Sequence, residues 1–163
     1  MSSCTTMPPA QKTNVGMGQI AVDKTPALLS SVLGSCVGLA LYHPRLKAGA
    51  LAHIVLPTAG GRGALPGKFA DTALPHMLAE LSKMGIPRDG LVAKIAGGAC
   101  MFGVSGPLQI GDNNTEAVKQ LLKEANIRII GEDVGGQKGR RVTLDCSNGE
   151  LLVEIAGTAK TKL

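Results

Sequence analysis

Residues 28–56 read LLSSVLGSCVGLALYHPRLKAGALAHIVL. Three short apolar runs, at about 28–33, 37–42 and 48–56, are separated by Gly34-Ser35-Cys36 and by the turn Tyr42-His43-Pro44-Arg45. Apolar runs of this length, bounded by glycine and proline, predict strands. A further strand is expected at 17–22. Toward the C-terminus the period changes. Ala70, Ala73, Leu74, Met77, Leu78, Leu81 and Met84 fall at helical spacing and form one apolar stripe that ends near Gly85. With Thr72 as N-cap, Pro75 falls at N3, where no intrahelical donor is lost. Met77 and Met84 then belong to the core under the stripe.

Leu91–Ala96 predicts a buried strand that ends in Gly97-Gly98. A second helix is expected after Asn113 or Asn114, with Asn113 and Glu116 in a capping-box pattern. Val118, Leu121, Leu122 and Ala125 make its inward face, and Asn126 suits a left-handed cap. Strands follow near 127–133, 141–146 and 150–156. Ser147-Asn148-Gly149-Glu150 is a hairpin turn between the last two. Many strands with two intervening helices predict an α+β layered domain over residues 16–157. Residues 1–15 are expected to be a mobile lead-in, and 158–163 a basic tail. There is no internal repeat.

One domain suits 163 residues, and 44% apolar residues can fill its core. Only 2% are aromatic (Tyr42, Phe69 and Phe102), so aliphatic side chains supply the volume. The net charge of +5 is spread out, with the densest cluster at Lys138, Arg140 and Arg141. Without aromatic platforms, this charge does not make a nucleic-acid footprint, and an acidic protein partner is its expected use. Four cysteines, at 4, 36, 100 and 146, show neither CxxC spacing nor metal-ligand spacing with a histidine. No secretory signal and no apolar stretch of membrane-spanning length is seen. These features predict a cytoplasmic protein with reduced thiols and no membrane insertion.

The chemistry concentrates on Cys36, flanked by Gly34-Ser35 and Gly38, and on His53 seventeen positions later. A thiol needs a base to become the nucleophile, and two adjacent strands would return His53 toward Cys36. Backbone N–H groups around Gly34 and Ser35 would form part of an oxyanion site and leave room for a substrate to approach. Residues 1–60 carry Lys12, Lys24, Arg45 and Lys47 against Asp23 alone, a balance that favours a lowered thiol pKa. Residues 58–68 are expected to be a flexible surface loop, of a kind that can flank an active site. Cys146 continues the alternation of Val142 and Leu144 and reads as core. His43 reads as solvated in its turn. Gly135-Gly136 with Gly139 lacks the lysine and the helix start of a phosphate loop, so a hairpin turn is the better account. From spacing alone, a buried cysteine and a core histidine remain the simpler explanation of the pair.

Six motifs in fixed order add to this. They are Leu33-Gly34-Ser35-Cys36-Val37, Ala50–Pro57, Phe69–Leu74, Ala93–Phe102, Ile110-Gly111 with Asn114, and Asp133-Val134-Gly135-Gly136 with Gly139-Arg140-Arg141-Val142. Over residues 16–156 the pattern resembles the CheD family of chemoreceptor glutamine deamidases. The resemblance implies a layered α/β/β sandwich and a hydrolase that converts chemoreceptor glutamines to glutamates. In similar proteins it extends to hydrolysis of glutamyl methyl esters. The family's cysteine and histidine map onto Cys36 and His53. Its threonine, six residues before the cysteine, maps onto Ser30, where the hydroxyl survives and the methyl is lost. Asp112-Asn113 stands where the family often has an arginine before the asparagine. Gly97, Gly98 and Phe102 are expected to shape a partner or substrate surface. No metal or organic cofactor is implied. A CheC-type phosphatase is the implied partner, and a weakly catalytic adaptor for it is the alternative reading. A cysteine peptidase fits less well, because no Asn or Asp triad member stands near the pair.

Overall fold

The structure is a computed structural model that describes residues 11–59, 65–100, 110–155, 157 and 160–163, with the backbone alone at 110–112. In chain order its elements are β1 (Lys12–Asn14), β2 (Ile20–Lys24), β3 (Leu28–Leu33), β4 (Val37–His43), β5 (Ala48–Ile54), a 3-10 turn (Pro66–Lys68), α1 (Ala70–Lys83), β6 (Val92–Gly97), α2 (Ile110–Glu124), β7 (Arg128–Val134), β8 (Arg140–Asp145), β9 (Leu151–Glu154) and β10 (Thr161–Lys162). They make two five-stranded mixed sheets, ordered β1-β3-β8-β9-β10 and β2-β5-β4-β6-β7.

The strand period of two sets the layers. On β4, Val37, Leu39 and Leu41 face the helices, together with Ala50, Ala52 and Ile54 of β5 and with Met77, Leu81, Val118 and Leu122. The alternate residues, Ala40 and Tyr42, face the other way with Leu51. They pack against Leu29, Leu33, Val142, Leu144 and Val153 of the first sheet. β4 and β5 are therefore buried along their whole length. The order helices, sheet, sheet is the α/β/β sandwich expected above.

Several local features depart from expectation. α1 starts at Ala70, and Pro75 lies inside it. Thr72 is already helical, and its hydroxyl donates to the Pro66 carbonyl at 2.6 Å. Pro75 therefore leaves the Asp71 carbonyl without its helical donor. α2 starts at Ile110, so Asn113 is inside the helix and caps nothing. Asn126 does take the left-handed conformation, with φ 58°.

His43 is buried, with Nε2 3.1 Å from the Asp89 carbonyl and the Leu46 N–H donating to Nδ1. Residues 135–139 do not make a hairpin turn; they carry the chain from β7 in one sheet to β8 in the other. Arg140 is buried at this crossing. It pairs with Asp133 and donates to the carbonyls of Asp133, Gly135 and Lys138, so its charge is used internally. At the ends, where a mobile lead-in and a tail were expected, Lys12–Asn14 pairs in parallel with β3 and Thr161–Lys162 pairs with β9. Lys94 fastens the latter end through the Leu163 carbonyl at 2.6 Å. Cys4, Phe102 and residues 60–64 of the expected loop lie outside the described residues.

Candidate active site

β4 and β5 pair antiparallel, with Gly38 opposite His53 and Val37 opposite Ile54. Cys36 stands two positions before Gly38, so it shares a sheet face with His53 on a diagonal. Diagonal neighbours lie roughly 7–8 Å apart between backbones, within reach of a ring and a thiol. Cys36 clusters with Ala40, Leu51 and Leu33 between the sheets, which fixes the face. Gly38 carries no side chain because one there would meet Leu33 Cδ1 at 2.8 Å. Cys36 is 9% exposed and His53 5%, so the pair sits just below the surface. Among the described residues, no hydrogen bond joins Sγ to the ring.

The ring is held from the opposite sheet. Ser31 Oγ lies 2.6 Å from the Val15 carbonyl and 2.8 Å from His53 Nδ1. A carbonyl only accepts, so the Ser31 proton goes to Val15, and Nδ1 must be the donor to Ser31. Nδ1 also lies 3.3 Å from the Val15 carbonyl, which requires the same tautomer. The proton on Nδ1 leaves the lone pair on Nε2, as a general base needs.

Ser30 does not reach the histidine. On β3, Leu29, Ser31 and Leu33 point between the sheets, while Leu28, Ser30 and Val32 point outward. Ser30 is buried on that outer face, where its hydroxyl donates to the Val142 carbonyl at 3.0 Å and lies 3.3 Å from Thr143 Oγ1. The hydroxyl on the histidine is one residue later than the family position implies.

The loop that carries Cys36 is pinned by its carbonyls. Gly34 accepts from the Ala99 N–H at 3.0 Å, and Cys36 accepts from the Gly98 N–H at 2.9 Å. Ser35 accepts from Asn114 Nδ2 at 3.4 Å, and the same nitrogen donates to Val55 at 2.8 Å. Gly97 and Gly98 are buried under this loop instead of forming an outer surface. Both have positive φ, 100° and 63°, and a side chain on Gly97 would collide with the Cys36 carbonyl.

Burial pushes the Cys36 thiol up, against a smaller lowering by its own backbone N–H. This overturns the expectation of a lowered thiol pKa: desolvation outweighs the sparse basic residues nearby. Burial likewise pushes His53 down, offset in part by the Val15 carbonyl. The resting pair is therefore neutral thiol and neutral imidazole. Cys146 is fully buried core, with its thiol pushed up to about 12. A cleft of about 330 Å³ opens between residues 13–21 and Leu65–Gly67, with His76 at its edge, but neither Cys36 nor His53 lines it.

Sequence reading missed Ser31, the Val15 carbonyl and the contacts of Asn114. Strand alternation held the signal for Ser31, the one polar residue between Leu29 and Leu33 on the core face. Nothing in the sequence marks a backbone carbonyl.

Fold and site define a two-sheet α/β/β domain with a cysteine and a histidine on one buried face. A family model described as CheD, chemotactic sensory transduction, matches residues 55–155. That match begins after His53, so it does not depend on the pair. A chemoreceptor glutamine deamidase CheD of Thermotoga maritima is 45% identical over 144 residues, covering 88% of this chain and 91% of that one. Relatives designated "Probable chemoreceptor glutamine deamidase CheD" from Methanococcus maripaludis strain C6 and Symbiobacterium thermophilum are 42% and 43% identical. They cover 90% and 91% of this chain, and 97% and 95% of their own. The chain belongs to the CheD family.

Proposed function

We propose that the protein is a cytoplasmic hydrolase that deamidates glutamine side chains of chemoreceptors. The observation that carries this reading is the shared face of Cys36 and His53, with the ring turned so that Nε2 is the free base. The relatives' designation supplies the substrate class. His53 Nε2 takes the thiol proton as Sγ attacks the glutamine side-chain carbonyl carbon. The N–H groups of Ser35 and Cys36 receive the developing oxyanion. The imidazolium then protonates the leaving ammonia, and a thioester remains. Water, deprotonated by the same nitrogen, releases glutamate and restores the thiol. The sum is one amide and one water giving one carboxylate and one ammonium ion. A CheC-type phosphatase as binding partner belongs to the same proposal and rests on the family resemblance alone.

The direct test is mass spectrometry of a receptor cytoplasmic fragment after incubation with the protein. A gain of about 1 Da per modified glutamine is the mass of NH₂ exchanged for OH, by the nucleophilic route above. An unchanged fragment mass, with the protein folded, would count against the reading.

The two serines separate on the same assay. Ser31→Ala removes one orienting hydrogen bond, worth on the order of 1 kcal/mol, or roughly a fivefold loss of turnover. Ser30→Ala is expected to leave turnover within about twofold, because a partner lost on the outer face does not touch the ring. Ammonia release from one fragment measures both, and the reverse order would return the role to Ser30.

A further inference from the structure

Asn114, in the second turn of α2, is fully buried, and its side chain joins the two halves of the site. One hydrogen of Nδ2 goes to the Ser35 carbonyl, immediately before the nucleophile. The other goes to the Val55 carbonyl, two residues past the base. Among the described residues its Oδ1 is buried without a partner. An orphaned buried acceptor is unfavourable, and an apolar side chain of the same size would avoid it. What the position retains is therefore the pair of donors.

We infer that Asn114 is a positioning residue that aims the Cys36 N–H at the reacting carbonyl. The inference rests on the reading of Cys36 as nucleophile. In a trans peptide the C=O and N–H point in opposite directions within one plane. The Ser35 carbonyl and the Cys36 N–H belong to the same peptide unit, so gripping the first sets the second. The Ala99 N–H does the same for the Ser35 N–H by holding the Gly34 carbonyl. Among the described residues, the Ser35 N–H has no other acceptor, and the Cys36 N–H meets only its own thiol sulfur. Donors fixed before the reaction spend no energy on reorganising when charge develops, which is the condition for oxyanion stabilisation. The Val55 bond ties the same amide to the strand that carries His53, so one side chain sets the loop against the base.

The test uses Asn114→Asp, in which an ionised carboxylate of the same shape accepts but does not donate. Asn114→Ser, smaller and neutral, serves if the carboxylate prevents folding. Three rates are read on the full chain: kcat and KM for a receptor fragment, and alkylation of Cys36 by iodoacetamide. Alkylation expels iodide and forms no oxyanion. The expected result is a kcat lower by about 100-fold, the usual scale for one lost oxyanion donor, with alkylation unchanged within about twofold. KM is expected to move by less than about threefold, because the interaction is made in the transition state. A kcat retained within about threefold overturns the inference, as does alkylation that falls in step with kcat, the mark of a merely structural role. Cys36→Ala runs in parallel. Activity surviving there overturns the nucleophile itself. Activity lost there but intact in the Asn114 variants overturns only this inference.

Discussion

Cys36→Ala is expected to abolish ammonia release from a receptor fragment while leaving thermal unfolding cooperative. The side chain is small and stands at the rim of the inter-sheet core, so losing one sulfur leaves little cavity. On the proposed route the chemical loss is complete, because no thioester forms without Sγ. Cys146 cannot take its place: it is fully buried, with its thiol pushed up to about 12. The Cys100 backbone N–H donates to the Gly136 carbonyl at 2.8 Å. Ammonia release and acid-quenched mass spectrometry of the enzyme make the check. Wild-type protein should carry a substrate-derived adduct on Cys36 and the variant none. Retained release by a folded Cys36→Ala protein would remove Cys36 from the chemistry.

His53→Asn should lower turnover by about 100- to 10,000-fold, the usual range for a lost general base. Asparagine keeps a donor that can approach Ser31 and Val15, but it offers nothing basic toward the thiol, so the variant separates chemistry from packing. The pH profile gives a second reading. Burial lowers the His53 pKa, so the neutral, active ring persists below the pH at which a solvated histidine is half protonated. The acid limb of kcat/KM should then have its midpoint below about 6.5. Burial raises the Cys36 thiol, so in the absence of substrate its alkylation should climb only above the ordinary cysteine range, near pH 8.5. An acid limb that survives in His53→Asn, or a midpoint above that of free histidine, would count against His53 as the base.

The layering was legible because β3, β4 and β5 are short apolar runs with glycine and proline between them, and the helical stripe from Ala70 to Leu81 is a clean period. Helix starts were not. Pro75 and Asn113 are signals of local propensity, and packing overrode both: α1 begins two residues before Thr72, and α2 takes Asn113 inside. His43 was misread because a turn next to proline suggests solvent, whereas Asp89 and Gly90 of a distant segment cover the ring. Residues 135–139 were misread because a glycine-rich turn looks alike whether it closes a hairpin or crosses between sheets. At the site, the approach of His53 to Cys36 could be expected from two adjacent strands, although spacing alone favoured a core pair and the ordered motifs carried the reading. The choice between Ser30 and Ser31 required knowing which face of β3 meets the second sheet. The direction of the thiol pKa required burial, which charge counting along the chain does not contain.

The Val15 carbonyl has a practical consequence. Met1 to Val15 contains neither the thiol nor the base, yet a chain trimmed after this point loses the carbonyl that orients the ring and the β1 pairing that holds it in place. Such a protein would keep every side chain of the cysteine–histidine pair and the whole span that the family model matches. On the proposed route its turnover should fall, by a few-fold for the lost ring contact alone, the scale of one orienting hydrogen bond. Cleavage sites and fusion joints that remove Lys12–Val15 therefore alter the setting of the His53 ring, and rates are best measured on a chain that keeps this segment.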